Sequence, residues 1–192
     1  MTRRTPPDEN IPLIVHVPFV SQSLGRAPLT LADSAPAAAS SVTDPAQPRW
    51  TEAGIRAELE KTPKGREILS HLPAGVQFRP WVRQPADKAL ALYKRTERVI
   101  LIPTSYSSVE AAPTVAHEAT HAYQWSAHGE PRDLEALIER DVEARNAGLD
   151  VYEQMGRPAL PYNYAREADE RAKDPVAYDQ SVREWYREVY SR

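Results

Sequence analysis

The sequence predicts an α+β fold in which a small antiparallel sheet packs against several helices, behind an extended, proline-rich leader. Three observations carry this. Eight of the 18 prolines fall in the first 50 residues, beside the low-complexity tract Ser34 to Ser41. Between Val76 and Ile102 lie three short runs rich in β-branched, aromatic and leucine residues. Beyond Ser107 the apolar residues recur at helical rather than alternating spacing. A chain of 192 residues can hold one domain with a core, plus appendages.

Residues 1–48 read as a leader without its own core. Within it, Ile11 to Val20 is too apolar for a solvated tail. It suits a strand added to a sheet edge, a pro-segment over a cleft, or an export signal. Residues 49–192 read as the folded domain. Thr51 caps a helix that contains Ile55 and Leu59; after a break at Pro63 a second piece carries Ile68, Leu69 and Leu72. Val76–Val82, Ala89–Lys94 and Val99–Ile102 read as strands, and Thr96-Glu97-Arg98 as the hairpin turn between the last two. Pro80 assigns the first strand to an edge. A helix then begins at Ser108 or at Pro113 and runs to Ala127, with Ser107 and Glu110 spaced as a capping box. The next runs from about Pro131 to Met155 and stops at Gly156. One or two more helices follow the irregular Pro158–Tyr164 segment, the last carrying Trp185, Tyr186 and Tyr190.

The formal charge of −3, the pI near 6.0 and the lack of a long basic run argue against a nucleic-acid surface. Lys64-Gly65-Arg66 is too short for a phosphate or nucleic-acid motif, and Glu167 to Glu170 reads as a solvated helix face. With no cysteine, disulfide frameworks, Cys-rich zinc sites and cysteine nucleophiles are excluded. No apolar run reaches the ~18 residues of a membrane span. The N-terminus does not suit a cleavable signal peptide, because Pro12 and Pro18 cut its apolar segment. A cytoplasmic location, or export without such a peptide, is the expectation.

The string His117-Glu118-Ala119-Thr120-His121 carries the chemistry. On a helix, two histidines four residues apart project from one face, where one zinc ion can take both imidazoles. Glu118 then reaches the zinc-bound water as general base. Five histidines and 17 glutamates in 192 residues would produce such a string by chance about once in a hundred sequences.

Hydrolytic zinc sites usually add a third protein ligand. His128 falls one residue late for the H-E-x-x-H-x-x-G-x-x-H pattern, and Gln124 stands where its glycine would be. On the following helix Leu134, Leu137, Ile138, Leu149, Tyr152 and Met155 trace an apolar stripe. Asp141 lies about 20° from Leu134 on a helical wheel at ~100° per residue, near the middle of that stripe. A carboxylate there needs compensation, which zinc supplies. Arg145, one turn on, offers another compensation as an i, i+4 ion pair or as a partner behind the ligand. Asp141 is the preferred third ligand; Glu139, Glu143 and Glu167 remain alternatives.

These residues resemble the zincin metallopeptidases. Val115 to Gln124 is similar to the active-site helix of that clan, Val99–Ile102 to the strand leading into it, and Asp141-Val142-Glu143-Ala144 to the E-x-x-A element of the glutamate-type members. Here aspartate replaces the usual glutamate, as in the aspartate-type zincins, although the flanking residues differ from theirs. The arrangement also resembles small metallopeptidase domains of bacterial effectors and polymorphic toxins, over about residues 62 to 155. The resemblance implies a zincin-like sheet and helix pair, a zinc cofactor, and a protein or peptide substrate (a host or target protein if the chain is exported).

The expected chemistry is metal-assisted peptide hydrolysis, with Glu118 passing a proton from the water to the leaving amine. Tyr164, Tyr106 and His128 are candidate donors to the oxyanion. Residues Leu101 to Thr104 are candidates for binding substrate as an added strand. Two other function classes stay open: a metal-binding protein that does not cut, and an interaction protein that docks a partner through Trp185, Tyr186 and Tyr190.

Overall fold

The computed structural model describes residues 47–83, 89–160 and 163–191. Almost all of the expected leader, including Ile11 to Val20, lies outside the described residues. The element order is α1 (Glu52–Glu60), α2 (Pro63–His71), β1 (Gln77–Trp81), β2 (Leu92–Lys94), β3 (Val99–Pro103), α3 (Ser108–His128), α4 (Leu134–Gln154), α5 (Tyr164–Lys173) and α6 (Pro175–Tyr190). The described part is rich in helix with one small sheet, in keeping with α+β. Among the described residues no helix is long and apolar enough to cross a membrane.

Helix starts follow local side-chain chemistry. Thr51 and Thr62 accept hydrogen bonds from the third residue on, and Pro63 occupies the first turn of α2, where its missing N–H costs nothing. The capping box at Ser107 and Glu110 closes both ways and resolves the start of α3 to Ser108, leaving Pro113 inside the helix. Helix α4 begins three residues later than expected, because the Asp133 side chain accepts from Ala136 N–H and makes Leu134 the first helical residue. Leu134 is 41% exposed, so the apolar stripe starts at Leu137 rather than at Leu134.

The sheet is mixed rather than wholly antiparallel. Its order is β1-β3-β2, with β2 antiparallel to β3 and β1 parallel to it. The hairpin turn does form, over residues 95–98, and sets the β2–β3 pairing. It has no say over β1, which pairs with the far side of β3 from Gln77↔Val99 to Trp81↔Pro103 and is the edge strand that Pro80 requires. Leu101 to Pro103 therefore lie on the central strand, where β1 already holds one side. A strand added to this stretch would have to take the β2 side beyond Leu101, where the pairing with β2 ends.

Two apolar cores meet along α3 and α4. One gathers Trp50, Ile55, Leu59, Phe78, Ile100, Ile102, Val115 and Ala119 from α1, the sheet and one face of α3. The other gathers Ile138, Leu149, Tyr152, Tyr178, Val182 and Tyr186 from α4 to α6. Where α3 crosses α4, Gly148 lies against Pro113 and His117: a Cβ there would stand 2.9 Å from the Pro113 carbonyl oxygen. A residue without a side chain is what lets the two helices approach at the level of His117.

Candidate active site

His117 and His121 face one another from successive turns of α3, Nε2 to Nε2 at 3.1 Å. Asp141 of α4 brings Oδ1 to 3.3 Å from His121 Nε2. Glu118 lies beside them, its Oε2 accepting the Tyr93 backbone N–H of β2 at 2.8 Å. All four side chains are sealed from solvent, none more than 1% exposed. Among the described residues no group of three or more His, Asp or Glu forms a ready-made metal cage. What converges is pairwise, with His121 touching both His117 and Asp141.

The protonation of His121 follows from Gln124. Gln124 Nε2 donates to the Arg140 carbonyl at 3.1 Å and to Glu143 Oε2 at 2.8 Å, two groups that can only accept. This fixes the amide orientation, so Gln124 Oε1 at 3.0 Å is an acceptor and His121 Nδ1 must carry the hydrogen. Burial pushes the His121 pKa down to about 4, against the Gln124 hydrogen bond and with help from Arg140. The neutral ring therefore aims the lone pair of Nε2 at His117 Nε2 and Asp141 Oδ1.

The two acids are held differently. Asp141 Oδ2 accepts the Tyr190 hydroxyl at 2.6 Å. Among the described residues, Asp141 Oδ1 and Glu118 Oε1 have no hydrogen-bond partner. Burial pushes Glu118 up to about 8, against the Tyr93 N–H and with a contribution from Asp141. Burial likewise pushes Asp141 up to about 7, against Tyr190 and Arg145. Without a cation, both acids are drawn toward the neutral form.

The alternative ligands go elsewhere. Glu167 forms a bidentate pair with Arg145 (2.7 and 3.0 Å), with Tyr178 as a third partner. Arg145 thus pairs across to α5 instead of with Asp141 on its own helix. Glu139 is held by Arg183, and Glu143 ends the Gln124 chain. His128 is exposed at the end of α3, edge-on to Tyr123, away from His117 and His121. Tyr106 belongs to the first core. Tyr164 is buried at the α3–α4 crossing, where its hydroxyl would lie 3.1 Å from a Cβ on Gly148.

Sequence reasoning missed Tyr93 and Tyr190, and it passed over Gln124 as a positioning group. Trp185, Tyr186 and Tyr190 pack within the second core, with Tyr186 fully covered. No known protein family, characterised protein or solved structure matches this chain.

Proposed function

We propose that this chain is a zinc-dependent hydrolase of peptide bonds, with His117, His121 and Asp141 as ligands and Glu118 as general base. One observation carries the reading: a lone-pair nitrogen, a second imidazole nitrogen and a partnerless carboxylate oxygen point at one another in a sealed space. Such atoms repel unless a proton or a cation sits among them. Two donors each about 2.0–2.2 Å from a tetrahedral zinc lie about 3.3–3.6 Å apart, close to the 3.1 and 3.3 Å separations at His121. The order of strand, H-E-x-x-H helix and acid-bearing second helix also fits a zincin-like arrangement.

When bound, zinc would supply an acidified water and polarise the substrate carbonyl. The protein's own part is to orient the ligands and move the proton. Gln124 and Tyr190 fix His121 and Asp141, as partners behind metal ligands do. Tyr93 anchors Glu118 Oε2 and leaves Oε1 to take the proton of the attacking water. From there the proton passes to the leaving nitrogen. Tyr164 is the remaining candidate donor to the oxyanion.

A second reading draws on the complete burial of the four side chains: a metal-holding protein that does not cut. Peptide cleavage demands that a substrate reach Glu118, so a segment over the site must move. The test is purified wild-type, Glu118→Gln and His121→Ala protein, each assayed for bound metal and for cleavage of a peptide library. Hydrolysis predicts zinc with cleavage in the wild type, zinc without cleavage in Glu118→Gln, and neither in His121→Ala. Zinc with no cleavage in the wild type would favour the silent reading.

A further inference from the structure

Tyr93 has two faces. Its backbone N–H holds Glu118, and the residue lines a cavity of about 170 Å³ together with Pro73, Arg95, Arg98, Trp125 and Ser126. We infer that this cavity is a subsite for a carboxylate on the peptide substrate, gripped by Arg98 and Arg95 against the Trp125 and Tyr93 rings. The inference rests on the hydrolase reading for its link to cleavage, and on the cavity alone for binding.

Three features support it. First, the charge is held in place: the Arg95 guanidinium lies over the Trp125 ring, 4.5 Å from its centroid, with Arg140 5.5 Å from the same centroid. Both Arg95 and Arg98 act on the Tyr93 phenol, lowering a pKa that burial raises. Second, Arg95 pairs with the exposed Glu130 at 2.9 Å, so its guanidinium is placed to meet a carboxylate at the rim of the cavity. Arg98 forms no ion pair with an acid among the described residues. Third, Arg98 is kept at φ 53°, a left-handed conformation that glycine or asparagine would adopt with less strain. Arg98 closes the turn directly before β3 and stands beside Arg95 in the cavity lining.

The position is also apt. Trp125 is one helical turn beyond His121, and Tyr93 both lines the cavity and holds Glu118, so the cavity adjoins the proposed catalytic acid. The carboxylate could belong to a Glu or Asp side chain or to a peptide C-terminus.

The test uses the full chain and three pentapeptides, titrated by Trp fluorescence with Trp125→Phe as the control for signal origin. They are acetyl-Ala-Ala-Glu-Ala-Ala-amide, its glutamine counterpart, and acetyl-Ala-Ala-Gln-Ala-Ala with a free C-terminus. Either acid should bind at least tenfold more tightly than the neutral peptide, and the preference should collapse in Arg98→Gln combined with Arg95→Gln. That variant leaves any zinc site intact, so direct carboxylate–zinc binding would survive it and overturn the inference, as would equal binding of all three peptides. Preference for the glutamate peptide assigns a side-chain subsite, and preference for the free acid a terminal one. Acid binding without cleavage would sustain the subsite while counting against the hydrolase.

Discussion

At Arg145, α4 buries a charge that finds its counter-charge; at Asp141, one turn earlier, it buries one that does not. The Arg145 charge is paired. Burial works against the guanidinium, but Glu167, Tyr186 and Tyr178 outweigh it and push its pKa up, and the pair is bidentate. The Asp141 cluster is open: two acids, two imidazoles, and two carboxylate oxygens without a hydrogen-bond partner among the described residues. The difference teaches what each is for. The ion pair at Arg145 ties α4 to α5, whereas the Asp141 cluster, which lacks positive charge, is where the proposed cation would be accommodated.

The largest expected effect separates chemistry from binding. Glu118→Gln should lower peptide cleavage by about 10²- to 10⁴-fold while leaving bound zinc unchanged, read by turnover and metal content. Next, the two clusters should respond oppositely to loss of an acid. Glu167→Gln strands Arg145 and should cost about 3–5 kcal/mol in denaturant unfolding, with zinc content retained. Asp141→Asn removes an uncompensated buried acid, so the metal-free chain should lose little stability, yet zinc should no longer bind stoichiometrically. If both variants lose stability alike and neither loses metal, the contrast fails.

A third prediction concerns pH. Glu118 and Asp141 have folded-state values raised to about 8 and about 7, so they stabilise the metal-free fold in acid, and that contribution is lost as pH rises through those values. His121, lowered to about 4, contributes above 6.5 and loses its contribution as pH falls toward 4. Between pH 6.5 and 8 the acids dominate over the last of the His121 change, and metal-free stability should fall by on the order of 1–3 kcal/mol. Saturating zinc should reverse the slope, since its ligands bind deprotonated. Thermal melts with chelator and with zinc across that window check it.

Smaller effects sharpen the geometry. Gln124→Ala and Tyr190→Phe should each weaken zinc binding by about 10- to 100-fold in chelator competition. Gly148→Ala should cost about 1–3 kcal/mol by wedging α3 from α4.

Much of the site was legible in the sequence because its parts are local. The four-residue spacing places His117 and His121 on one face, and a wheel places Asp141 inward, where it is fully buried. Tyr190 was illegible because it meets Asp141 across 49 residues, through the docking of one helix on another. The Tyr93 contribution was illegible because it is a backbone N–H, which residue type does not advertise. The partner of β1 was hidden for a similar reason: the hairpin turn sets β2 against β3, while the far side of β3 is settled by tertiary packing. Nor could periodicity tell that Arg145 prefers Glu167 on α5 to Asp141 on its own helix.

The central claim is that the open cluster holds one cation, and metal content tests it most directly. Wild-type protein purified in zinc-supplied buffer near pH 7.5 should carry one zinc per chain, with Glu118→Gln alike and His121→Ala and Asp141→Asn empty. A well-folded wild type without stoichiometric zinc, or one whose zinc survives loss of His121, would contradict the account.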